Sequence, residues 1–196
     1  MKIVGGGHLS KSEGLFNLLG CLLVLSWLGF ALFLFLNTFF GFFPYLMVRG
    51  EVETGKAVDI LNEVRSKAKI EKDVKIFVTY LDFYGTAHIA EKDRKVWVLV
   101  SRKVLKWPDD VLRGLFGHEL GHLVFGHTRD HKHRTQSDLE QEQAVADACA
   151  IVWVGRGALI SCFKELGSEK QVLEERLAKA DKILETMPEF KGKLKE

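Results

Sequence analysis

The sequence predicts an α+β fold, in which an N-terminal transmembrane helix precedes one domain with a small antiparallel sheet and a series of helices. Three observations predict it. Residues 14–48 contain no Asp, Glu, Lys or Arg, whereas nearly all the charge falls in 49–196. Short runs rich in β-branched and aromatic residues lie between 74 and 101. From Pro108 onward, apolar residues recur at helical spacing between capping and breaking signals.

The apolar run Leu15–Val48 contains the anchor. Leu15 to Leu36 is long enough for one span, because about 20 apolar residues cross a hydrocarbon core as a helix. Asn37 and Thr38 follow, and Gly41 and Pro44 interrupt a second apolar patch, Phe39 to Val48, which reads as interfacial. The run is longer than the 7–15 apolar residues of a cleaved signal and lacks a small-residue cleavage site, so a retained, single-pass anchor is expected. Lys2 and Lys11 precede the span, while Arg49, Lys56, Arg65 and Lys67 follow it, which puts the following domain in the cytoplasm. The expected organisation is a tail over 1–14, the anchor with its interfacial piece over 15–48, a domain over 54–187 and a flexible tail over 188–196.

The remaining ~148 residues suit one core-forming domain. A net charge of +2 gives no footprint for nucleic acid. Cys21, Cys149 and Cys162 are odd in number and irregular in spacing, so they read as buried small hydrophobes rather than a disulfide framework.

Within the domain, Val58, Leu61, Val64 and Ala68 mark a helix over 54–69. Val74–Leu81, Thr86–Ala90 and Val96–Ser101 read as strands, with turns at Asp82–Gly85 and Glu91–Lys95. Trp107-Pro108-Asp109-Asp110 starts a helix to about Gly126, since proline suits the first turn and aspartates meet the positive dipole end. His127–Ser137 is polar and basic and reads as a loop, its His131 and His133 as solvated. A helix follows, with Asp138 near its cap, to about Val154. Gly155-Arg156-Gly157 breaks it, a short helix spans Ala158–Leu166, and Ser168–Met187 is amphipathic behind a Ser168-x-x-Gln171 capping-box pattern.

The chemistry concentrates in His118-Glu119-Leu120-Gly121-His122. Histidines four apart leave one face of a helix at similar depth and can share one zinc ion. Glu119, rotated by about 100° from His118, can instead stand beside an open coordination position as general base. Leu115, Leu120, Leu123 and Val124 supply apolar neighbours. Gly117 and Gly121 each cost about 1 kcal/mol of helix stability, and their missing side chains would let a strand or peptide pass close. His127 comes too early for the third histidine of the spacing HExxHxxGxxH. It suits a helix C-terminus electrostatically. A catalytic zinc site usually has a third protein ligand, and Glu140, Glu142 and Asp147 in DLEQEQAVADACA are the carboxylates on offer.

The order of a β-hairpin, VWVLVSRKVLKWPDDVLRGLFGHELGHLVFGH and a helix containing Ala146-Asp147-Ala148-Cys149-Ala150 resembles the membrane-anchored gluzincin peptidases of the HtpX and CAAX-prenyl-protease family. The resemblance covers about 54–155. It implies a zincin-like domain with an HExxH active-site helix, with 86–90 as the edge strand above the zinc and Asp147 orienting a zinc-binding histidine. In that family a glutamate ligand stands four residues before the aspartate, where this chain has Gln143. Glu142 is five before it. The expected zinc ligands are therefore His118, His122 and Glu142, with a π-bulge restoring Asp147 to the site; Glu140 and Asp147 itself are the alternatives. No histidine or tyrosine follows His133, leaving Arg156 as the nearest downstream cation, more simply read as a solvated surface residue.

The function implied is a membrane-anchored zinc endopeptidase acting on peptides or proteins, membrane proteins among them, with Glu119 as catalytic base. HELGHLVFGH also resembles the ImmA/IrrE family of regulatory metallopeptidases. A zinc-stabilised membrane scaffold without turnover is the reading from a different class.

Overall fold

The structure is a computed structural model that describes residues 11–40, 48–79, 87–92, 95–127, 134–187 and 190. It divides into two compact units, 1–47 and 48–196.

The first unit contains helix α1, Lys11–Phe40. It begins earlier than the expected Leu15 and continues through Asn37 and Thr38, because a polar pair without proline does not interrupt helical hydrogen bonds. Side chains are described over 19–35. There Leu23 and Trp27 are 67% and 73% exposed. Among the described residues no helix is long and apolar enough to cross a membrane, so these residues do not support the expected span. Most of the expected interfacial piece, 41–47, lies outside the described residues.

In the second unit, strand β1 (Val48–Val52) precedes α2 (Lys56–Lys67), β2 (Val74–Thr79), β3 (Ala87–Lys92) and β4 (Lys95–Ser101). The sheet order is β1-β2-β4-β3. β3 and β4 pair antiparallel, as do β1 and β2, but β2 and β4 are parallel, with Ile76 opposite Val98. The sheet is thus mixed, not antiparallel as expected. The cause is topological: the β3–β4 hairpin inserts its second strand beside β2 and leaves β3 at the edge. β1 was not anticipated, since VRGEV carries few apolar residues. The turn expected at Asp82–Gly85 and the expected strand residue Thr86 lie outside the described residues.

Among the described residues, a 3-10 turn (Val104–Lys106) and four α-helices complete the unit: α3 (Asp109–Val124), α4 (Gln136–Val154), α5 (Arg156–Glu165) and α6 (Lys170–Thr186). α3 starts where WPDD predicts, with Asp109 and Asp110 in its first turn. It is buried on nearly all sides, through Val111, Leu112, Leu115, Phe116, Leu120 and Leu123. α4 starts with the capping box of Thr135 and Asp138, whose side chain and backbone N–H groups bond reciprocally. The expected box at Ser168 and Gln171 does not form; Glu169 is the N-cap there, without a side-chain bond.

The glycines of α3 explain how α4 and α5 approach so closely. A Cβ on Gly121 would stand 2.8 Å from Ala146 Cα, and one on Gly117 would stand 3.1 Å from Ala150 Cα. A Cβ on Gly114 would collide with the Ala158 carbonyl. The element that uses the missing side chains is therefore a neighbouring helix, not the strand or peptide expected from sequence. Phe190 corrects the expected flexible tail at its own position: it is buried and stacks on Phe125 at 5.8 Å.

Candidate metal and catalytic site

Helix α3 presents His118 and His122 from one face, four residues apart. Their Nε2 atoms are 3.1 Å from each other. Two nitrogens each about 2.05 Å from one tetrahedral ion would stand about 3.3 Å apart, so the pair fits a shared ion. His122 is held neutral: burial, then the charges of His118, His127, Arg176 and His88, push its pKa down to about 2. A neutral imidazole is the form that binds metal.

Behind the pair, His118 Nδ1 lies 2.7 Å from Asp147 Oδ1. Asp147 is 1% exposed and accepts two bonds from Arg176, Nε to Oδ2 and Nη2 to Oδ1, both 2.9 Å. Arg176 lies over the Phe163 ring at 4.1 Å and also donates to Gln143 Oε1 at 3.3 Å. No spacing or motif signals this role for Arg176. It sits on α6, 29 residues beyond Asp147, and its spacing matches an ordinary solvated arginine. Arg156, the cation named from sequence, pairs with Asp181 instead and stands away from the histidines.

Glu119 is buried beneath edge strand β3. Burial pushes its carboxyl pKa up, while the charge of His118 and a hydrogen bond from the Ile89 backbone N–H pull it down. His88 and Ile89 of β3, His118, Glu119 and His122 of α3, and Glu142 and Gln143 of α4 share a cavity of about 280 Å³. His88 entered no expectation from sequence, because a lone histidine on a strand carries no spacing signal.

The α4 carboxylates separate clearly. α4 is α-helical without interruption, so the expected π-bulge is absent. Asp147 faces the site without it. In an unbroken helix a residue four before Asp147 shares its face, and Gln143 accordingly puts its Nε2 3.4 Å from His122 Nε2. Glu142 lines the same cavity, but its Oε2 accepts from Arg134 Nη1 at 2.7 Å. Glu140 pairs with Lys179 and does not line this cavity. Among the described residues no group of three or more His, Cys, Asp or Glu side chains is arranged to hold a metal ion.

His127 stands at the end of α3, its Nδ1 3.1 Å from His122 Nδ1. His131, His133 and the loop over 128–133 lie outside the described residues, whereas Arg134 is paired with both Glu142 and the His127 carbonyl. Cys149 and Cys162 are buried free thiols, as expected, and Cys21 is exposed.

Compared with family models, curated proteins and solved structures, the chain finds no match in any of the three.

Proposed function

We propose that this chain is a zinc-dependent endopeptidase, anchored at a membrane through its N-terminal helix and kin to the HtpX and CAAX-prenyl-protease peptidases it resembles in sequence. The observation that carries the reading is the 3.1 Å approach of the two Nε2 atoms, backed by the buried Asp147 on His118 Nδ1. A metal-binding histidine is typically oriented by such a carboxylate on its other nitrogen.

His118 and His122 would hold the ion, with Glu142 as third ligand once its carboxylate exchanges Arg134 for the metal. Zinc held there supplies Lewis acidity, which brings the pKa of water down to about 7. Glu119 takes the proton of the attacking water and delivers it to the leaving amine. Its raised pKa supports this, since a base that must also serve as acid works best near the working pH. The Ile89 N–H keeps the carboxylate aimed into the cavity. A peptide or protein substrate would lie along edge strand β3, pairing main chain to main chain.

The exposed apolar side chains of α1 support contact with lipid. The basic residues that follow α1 in sequence favour a cytoplasmic position for the catalytic unit. Membrane proteins are then natural substrates.

Gln143 favours one second reading. An amide beside His122, with Glu142 held by Arg134, suits a zinc-stabilised scaffold without turnover. Cleavage of an unfolded protein separates the two. The peptidase reading expects chelator-sensitive cleavage that Glu119→Gln removes while zinc stays bound. Zinc without cleavage in the wild type would favour the scaffold.

A further inference from the structure

The two histidines are supported differently behind their metal-facing nitrogens. His118 Nδ1 meets a carboxylate, which only accepts, so its proton sits on Nδ1 and its Nε2 lone pair faces outward. His122 Nδ1 meets His127 Nδ1, and between two ring nitrogens one must donate and the other accept.

Two arrangements satisfy the rings. When His127 donates from Nδ1, the proton of His122 sits on Nε2 and can be given to His118 Nε2, 3.1 Å away, at the cost of also facing the Gln143 amide nitrogen at 3.4 Å. No lone pair is then left for a cation. When His127 accepts, its own proton sits on Nε2, the proton of His122 sits on Nδ1, and both metal-facing lone pairs converge. Each ring keeps one proton in both arrangements, so only positions change.

The backbone holds His127 in this role. Gly126 adopts φ +72°, which reverses the chain at the end of α3. The His127 N–H then donates to the His122 carbonyl at 2.9 Å, and Arg134 donates to the His127 carbonyl at 2.9 Å. This turn returns the ring to His122 instead of releasing it into the following loop.

We propose that His127 is a positioning residue for the metal, donating to His122 in the empty site and accepting from it in the loaded one. Metal binding is then coupled to a tautomer exchange of both rings. The proposal rests on the zinc reading and adds to it the group that makes His122 a ligand.

The test uses the full chain with His, Ala, Phe or Gln at position 127 and zinc competition against a chromophoric chelator. Nitrogen NMR of 15N-histidine-labelled wild type, with and without zinc, accompanies it. His127→Ala and His127→Phe should weaken zinc binding by about ten- to a hundredfold. His127→Gln, whose amide oxygen accepts a hydrogen bond, should stay close to wild type. On zinc loading, the protonated nitrogen should move from Nδ1 to Nε2 in His127 and from Nε2 to Nδ1 in His122. Equal affinity in all four proteins, an unchanged His127 tautomer on loading, or direct zinc coordination by a His127 nitrogen would each overturn the proposal. The NMR arm needs no variant, so a misfolded substitution does not blunt it. A wild type that takes up no zinc would instead remove the zinc reading itself, and this proposal with it.

Discussion

Asp147 Oδ1 receives His118 Nδ1 at 2.7 Å and Arg176 Nη2 at 2.9 Å, so one buried oxygen ties the histidine-bearing helix α3 to α6 through α4. Asp147→Asn keeps the volume but turns one acceptor into a donor facing a donor. The variant should lose about ten- to a hundredfold in zinc affinity. It should also lose about 1–3 kcal/mol of stability, because part-buried Arg176 is left short of an acceptor. Chelator competition and denaturant unfolding measure the two effects. Wild-type values in both would mean that the Asp147 contact does not orient His118.

The glycine face of α3 makes a separate claim about packing. Gly121→Ala puts a methyl 2.8 Å from Ala146 Cα, inside a contact between two helix backbones. Overpacking of this kind costs about 1–3 kcal/mol. Gly157→Ala, on α5 with nothing within 4 Å, should instead gain about 0.5–1 kcal/mol. Opposite signs in denaturant unfolding are expected; equal effects would place the close approach elsewhere.

Zinc should distinguish the α4 side chains. Glu142→Ala should weaken binding by on the order of tenfold or more. Gln143→Glu, adding a carboxylate next to His122, should tighten it. Full zinc occupancy in Glu142→Ala would remove Glu142 from the ligand set and leave Gln143 as the side chain at the third position.

One stabilising contact should depend on pH. Glu63 of α2 bonds Lys67 and reaches Arg113 of α3 at 3.2 Å. The Lys67 hydrogen bond, ahead of Arg113, holds its pKa below 4.5. A carboxyl lowered in the folded state contributes stability that is present above pH 4.5 and lost as pH falls through its folded value. The pair is well exposed, so Glu63→Gln should cost no more than about 1 kcal/mol at pH 7. That difference should vanish in acid. A difference that persists in strong acid would assign the effect to something other than this charge.

The HExxH helix was legible because its signals are local: WPDD marks its start, and the i, i+4 histidines need only helical geometry. Asp147 was also legible, though only through resemblance. The parallel pairing of β2 with β4 was not, since strand order depends on contacts that no single segment encodes. Arg176 and His88 reach the cavity through packing of separate elements, which periodicity cannot report. The expected bulge failed for a simple reason: an intact helix already places Asp147 on His118, and nothing forces Glu142 onto the same face. Gly117 and Gly121 were correctly read as points of close approach, but the neighbour proved to be α4.

A metal ion shared by His118 and His122 is the centre of the proposed function. Zinc per chain, measured by atomic emission after chelator stripping and reloading, tests that most directly. The account predicts one zinc per chain in the wild type and in Glu119→Gln, and close to none in His118→Ala or His122→Ala. No zinc in the wild type, or undiminished zinc in the histidine variants, would contradict it.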